Sequence, residues 1–266
     1  MKMKIKMKIF LFTLIALLSS NCVAFSAISF NGSPVAGQKD YEFGMYNNQP
    51  LKWRVLEVDT DNKRALLVTE KAVIKKAYDG SSNVWLSSEV RTWLNGDFLN
   101  GLGDDKEKII KVRLQDETYD ETYTNLNYHK SSEVEWNASG DDADSVFLLS
   151  AADADYYFTD SNDRVCYLLT EPNDACFWWL RSPGFGGYCA AYVIAIGEIG
   201  YSGWDVDDNK YIAVRPAVWI NLSSEETQKN NDISGGSGGC YLFKNFLIFS
   251  LLGFSMLIFK IKRFNY

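Results

Sequence analysis

Histidine occurs once in this 266-residue chain, at His129. A zinc site, or a nucleophile activated by imidazole, therefore has almost nothing to draw on. His129 lies in the polar stretch NLNYHKSSE and reads as solvated. Cysteine is sparse as well. Of five, Cys166, Cys176 and Cys189 fall in the body of the chain, and in an oxidising compartment they predict one disulfide, with the pair left open. No Ser-His-Asp constellation, phosphate-cradling glycine loop or convincing carboxylate pair is present, which argues against an enzyme. Acidic residues are missing from 1–26 and 241–266, whereas these ends hold eight of the 27 basic residues. Residues 27–240 therefore carry 19 basic against 34 acidic side chains, a net charge of about −15. Such a surface repels phosphate backbones, which excludes nucleic acid as a partner, and it attracts cations.

The ends carry their own signals. Lysines at 2, 4, 6 and 8 precede an apolar run from Ile9 to Leu18 and the small residues of SSNCVAFSA. This is the pattern of a secretory signal peptide over residues 1–26, with cleavage after Ala24 or Ser26. Cys22 invites a lipoprotein reading, but Asn21 before it fits a lipobox poorly. At the other end a Gly/Ser-rich spacer, 225–240, finishes in Gly-Gly-Cys. The apolar stretch and basic tail of 241–266 follow. Asn245–Phe259 is short for roughly 30 Å of hydrocarbon, but it extends to Tyr241 if Lys244 snorkels. Lys260, Lys262 and Arg263 then stay inside. A simple transmembrane anchor accounts for this. The arrangement also resembles the tripartite sorting signals of bacterial surface proteins, which makes Cys240 a processing or attachment point. Both readings describe an exported protein held at a membrane or cell surface.

Between the ends lies one domain, 27–224. LKWRVLEV (51–58) and ALLVTE (65–70) flank the turn DTDNKR and predict a hairpin, with Leu51, Trp53 and Val55 on one face. In WLSSEVRTWLNGDFL (85–99), Ser87 or Ser88 caps a short helix that buries Val90 and Leu94 beside Trp93, and Gly96 and Gly101 break it. DDKEKIIKVRL then places acids in a first turn. Residues 115–144 lack apolar periodicity and read as a solvated excursion. VFLLS (146–150) restores a strand, and Ser150 with Asp153 forms a weak capping box. WWLR (178–181), CAAYVIAIG (189–197) and AVRPAVWINL (213–222) read as strands, with EIGYSGWDVDDNKY as a polar loop or hairpin. Pro216 marks an edge strand, a bulge or a strand end. Asn137 and Asn221 fit the glycosylation pattern, which means little if the source is bacterial, as the ends suggest.

The pieces W-R-V-L (53–56), A-L-L-V (65–68), W-L-S-S-E-V-R-T-W-L-N (85–95), F-L-L-S (147–150), W-W-L-R-S-P-G (178–184) and V-R-P-A (214–217) resemble an uncharacterised bacterial extracytoplasmic domain family of unknown function. More distantly, the pattern is similar to the C-type-lectin-like fold shared by formylglycine-generating enzymes. The resemblance implies an α+β domain of short strands, a few short helices and long loops. Those enzymes use a matched cysteine pair near the end of the domain, and Cys166, Cys176 and Cys189 offer no evident equivalent. An oxidase of that type is therefore the weakest of three readings. The leading one is a noncatalytic, surface-anchored module whose loops bind an extracellular carbohydrate or protein. The second is a passive structural or assembly protein. Oligomeric state is left open.

The candidate binding residues are Trp204, Asp205, Asp207, Asp208 and Asn209 in the GWDVDDNK segment, with Tyr188 and Trp179. Asp205, Asp207 and Asp208 supply the hard oxygens that calcium prefers, although EF-hand spacing and a compact Trp-Asn-Asp lectin motif are both missing. No other cofactor is called for. Trp85, Arg91, Trp93, Trp178, Arg181 and Arg215 form the expected structural frame, each arginine taking a carboxylate or carbonyl partner. Trp178 and Trp179, as neighbours on a strand, point to opposite faces.

Overall fold

The computed structural model describes residues 33–119 and 127–223. The chain opens with β1 (Tyr41–Tyr46), β2 (Gln49–Asp59), β3 (Arg64–Thr69) and the short β4 (Ile74–Lys75). A helical run follows: α1 (Glu89–Trp93), a π-turn over Leu94–Phe98, and α2 (Leu99–Gly101). β5 (Ile109–Ile110), β6 (Val112–Arg113), β7 (Glu135–Trp136) and β8 (Phe147–Leu148) are two-residue strands. After α3 (Ala151–Tyr157) and α4 (Ser161–Arg164) come β9 (Cys166–Tyr167), β10 (Ala175–Pro183), β11 (Cys189–Val193), β12 (Ile199–Asp205), β13 (Ile212–Val214) and β14 (Pro216–Asn221).

β6 and β7 pair as a separate two-stranded sheet, and the other twelve strands make two six-stranded ones. One has the order β1-β2-β3-β14-β5, with β8 also paired to β14. The other has the order β12-β11-β10-β13-β4, with β9 paired to β10. The chain crosses between these two sheets four times, from β3 to β4, from β4 to β5, from β8 to β9, and from β13 through Arg215 to β14. Both sheets contribute to two hydrophobic cores. Trp53, Leu67, Val218 and Trp179 pack with Val90, Leu94 and Phe98 of the helical run. Leu66, Val68, Trp219 and Trp178 pack with Ala151, Ala154 and Phe158. Each sheet is thus covered on both faces, so β3 and β14 are nearly continuous apolar runs rather than alternating ones. The fold class is α+β, rich in strands with a few short helices.

Several local expectations hold for the reasons that suggested them. β2 and β3 form the hairpin, and Leu51, Trp53 and Val55 are buried on one face. Its turn is held by Asp59, which accepts from the Asn62 amide at 3.0 Å and from Arg64 Nε at 2.8 Å. Ser88 caps α1 by accepting from Arg91 N, and the Ser150–Asp153 capping box starts α3. Pro216 is the first residue of β14, a strand end where no ladder N–H is required.

Other expectations are corrected. Gly96 does not break the helix: it sits inside the π-turn, and the helical run continues to Gly101. The 103–108 segment is a 3-10 helix. Of the two readings of 198–211, loop or hairpin, the hairpin holds, with β12 pairing with β11. The 115–144 segment is not simply solvated, because its described part carries β7 and buries Ser131, Ala138 and Asp144. Trp136 meets Trp219 edge-on at 4.9 Å, and the Trp219 indole donates to the Ser131 carbonyl. His129 is partly buried, with Nδ1 3.4 Å from Glu133. Cys166, Cys176 and Cys189 are all free thiols here, so the expected disulfide is not formed. The expected signal peptide, spacer and transmembrane segment, with Cys22 and Cys240, fall outside the described residues. Among the described residues no helix is long and apolar enough to cross a membrane.

Candidate functional site

The structural frame comes first because it fixes everything exposed. Arg181 on β10 is 2% exposed and is enclosed by acceptors. It pairs with Asp153 at 3.0 Å and Glu117 at 2.9 Å, and donates to the Ser131 hydroxyl and the His129 carbonyl. Burial pushes the Glu117 carboxyl above its ordinary value, against the pull of Arg181 and of the Ser182 hydroxyl that donates to it. Arg91 makes a second clamp, with Nε 2.6 Å from Asp144 Oδ1. The Trp85 indole donates to the other oxygen of the same carboxylate at 2.9 Å. Trp93 packs against Phe98 at 5.5 Å. Arg215 is fully buried at the β13–β14 crossing between sheets, with Nε donating to the Thr69 carbonyl and the guanidinium over the Trp178 ring at 4.8 Å.

Glu117 and Asp144 come from the excursion and were not identified by sequence reasoning. The available signal was indirect: buried arginines require anionic partners, and the acid-rich 115–144 stretch was the place to find them. Beside this frame lies a cavity of about 390 Å³ lined by Asn83, Trp85, Gln115, Glu117, Arg181 and Pro183.

The exposed feature lies on the β11–β12 hairpin. Trp204 is paired with Ala190 and is 39% exposed. Its indole N–H donates to Asp208 Oδ2 at 2.9 Å, which fixes the ring plane. The ring meets Tyr192 at 5.8 Å and Phe177 at 6.5 Å, both edge-on, and Phe177 lies 5.9 Å from Tyr192. Tyr192 stands opposite Gly200 and its ring lies over that glycine, where a Cβ would sit 2.5 Å from the ring carbon Cε1. Tyr188, 49% exposed, adjoins the strip, and its carbonyl accepts from Val206 N. The result is a triangular aromatic strip, one ring from each of three strands and each ring in contact with the other two, partly exposed and held in place.

The candidate binding residues separate accordingly. Trp204 and Asp208 are brought together by their hydrogen bond, whereas the Tyr188 ring meets Phe185 edge-on at 6.5 Å. Asp208 also accepts from the backbone N–H groups of Lys210 and Tyr211, so its oxygens already serve the turn. Burial alone would raise its carboxyl, but those amides and the indole hold it below the ordinary aspartate value. Asp205 lies on the face opposite its neighbour Trp204, next to Cys189 at 3.8 Å. Asp207 and Asn209 are exposed at the turn. Among the described residues no group of three or more histidine, cysteine, aspartate or glutamate side chains is placed to hold a metal ion. Trp179 is corrected: it is wholly buried, with its indole donating to the Lys76 carbonyl, so it offers no surface to a ligand.

Residues 62–222, more than half of the chain, match the family described as Domain of unknown function (DUF6273), and the chain belongs to that family. The matched span includes the frame, the aromatic strip and all the quoted motifs except Trp53–Leu56. No curated protein and no solved structure matches the chain.

Proposed function

We propose that this is an exported, surface-anchored, noncatalytic recognition domain of C-type-lectin-like character that binds carbohydrate on the Phe177–Tyr192–Trp204 strip. The observation that carries this reading is the pre-oriented Trp204 ring, fixed by Asp208 and continued by two further rings. Aromatic faces accept the apolar face of a sugar ring and need no rearrangement to do so when already held. Exposed Asp207, Asn209 and Lys210 beside the strip supply donors and acceptors for hydroxyl groups. The negative charge of the domain favours neutral or cationic glycans over phosphorylated ones. Calcium and any other cofactor are dispensable in this reading, and the apolar C-terminal segment provides the tether.

The test is a glycan array together with a peptidoglycan pull-down, run with and without calcium. Wild type binds at least one glycan. Trp204→Ala lowers that affinity by about tenfold or more, the equivalent of roughly 1.4 kcal/mol, and Asp208→Asn lowers it less. Blank results in both assays would remove the proposal and leave a passive structural protein.

A further inference from the structure

Cys166 on β9 and Cys176 on β10 are direct cross-strand partners in an antiparallel pair. Residues so placed have Cα atoms roughly 4.5–5.5 Å apart, within the range a disulfide spans. Cys189 stands on β11 and is not paired with either. The two thiols lie at the margin of the second hydrophobic core, Cys166 1% and Cys176 7% exposed, with a buried charge close by. Arg215, fully buried, has two terminal nitrogens with no hydrogen-bond partner among the described residues, and its charge acts on both sulfurs. A buried guanidinium held only by one carbonyl and aromatic faces gains from a negative charge forming beside it. The other charges facing the pair are Glu70, which is bridged to Arg54 at 3.0 Å, and Lys75 from β4. The hairpin tip preceding Cys176, residues 171–175, is exposed.

We propose that Cys166 and Cys176 are a redox-active dithiol, with Arg215 stabilising the Cys166 thiolate. Burial raises the Cys166 thiol, but the hydrogen bond from Cys176 and the charge of Arg215 bring it below the ordinary value. Cys176 is pushed up by the same shared hydrogen bond and by burial. The oxidant is a disulfide, RS–SR, of a small thiol or an exchange protein. The Cys166 thiolate attacks one of its sulfurs, forming a mixed disulfide and releasing RS⁻. Cys176 then attacks the Cys166 sulfur, its proton passing to the departing RS⁻, and the Cys166–Cys176 bond closes. Two thiols lose two electrons to the disulfide, which leaves as two RSH.

The experiment equilibrates the full chain in glutathione buffers of graded potential, traps thiols with a maleimide and maps them by mass spectrometry. The Cys166–Cys176 disulfide forms with a defined midpoint while Cys189 stays alkylated. Cys176→Ser accumulates the Cys166–glutathione adduct instead, and Cys189→Ser behaves as wild type. Arg215→Lys, checked for folding by circular dichroism, moves the pH profile of exchange upward and slows it at neutral pH by tenfold or more. A folded wild-type chain that forms no such disulfide at any potential, or pairs Cys189 with either partner, overturns the proposal. An unchanged pH profile in folded Arg215→Lys overturns the role of Arg215. Should that variant not fold, the adduct in Cys176→Ser decides: its absence overturns the Cys166 assignment.

Discussion

Arg181 faces two carboxylates, Asp153 and Glu117, in a space almost without water. One guanidinium cannot compensate two buried negative charges as well as one, so the cluster favours a proton on Glu117. A carboxyl raised in the folded state contributes stability that is present below its unfolded value and lost as pH rises through its folded value. The stability difference between Glu117→Gln and wild type therefore moves in favour of the variant as pH rises from about 4 to about 7. Urea unfolding across that range measures it, and other carboxylates cancel in the comparison. A flat difference would mean that Glu117 titrates normally. The arginines were legible from the sequence as buried clamps because each is set among apolar residues. Their partners were not, since Glu117 and Asp144 sit in a stretch whose polarity reads as solvated, and polarity alone cannot tell water from an arginine.

Two glycines of the β11–β12 hairpin separate packing from display. At Gly197, with φ +82°, a Cβ would lie 1.7 Å from the Ser161 carbonyl oxygen, a backbone atom that cannot step aside. At Gly200 the obstacle is the Tyr192 ring, which can swing away. Gly197→Ala is thus expected to destabilise the domain by about 1–3 kcal/mol or more, measured by thermal unfolding. Gly200→Ala costs less stability but tilts Tyr192 off the sheet, lowering glycan affinity several-fold on the array. Equal losses of stability in both variants would contradict this division. The hairpin illustrates a limit of pattern reading at this scale. GWDVDDNK reads as a loop or hairpin tip whose acids could serve calcium, yet Trp204 and Asp205 are strand residues on opposite faces, and Asp208 serves its own turn. Caps and the first hairpin were readable because their signals are local. Gly96 was misread because the widening of one helical turn depends on the core beneath it.

Across the whole molecule, adjacent residues feed different cores: Trp178 and Trp179, Leu66 and Leu67, Val218 and Trp219. Each core borrows side chains from both sheets, and the chain passes between sheets four times, β3–β4 and β13–Arg215–β14 among them. Losing one core therefore strips an entire face from strands that the other core needs. The expected consequence is a single cooperative unfolding transition despite two cores and short helices. Leu94→Ala, in the core under the helical run, costs about 2–5 kcal/mol, and Phe147→Ala, in the other core, about 3–5 kcal/mol. Each is expected to lower one common midpoint by roughly 2–4 °C per kcal/mol, with tryptophan fluorescence and circular dichroism remaining coincident. Because Trp178 and Trp179 report from opposite cores, a transition that splits in either variant would show that the cores unfold separately. The continuous apolar runs of β3 and β14 would then have to be explained by something other than shared burial.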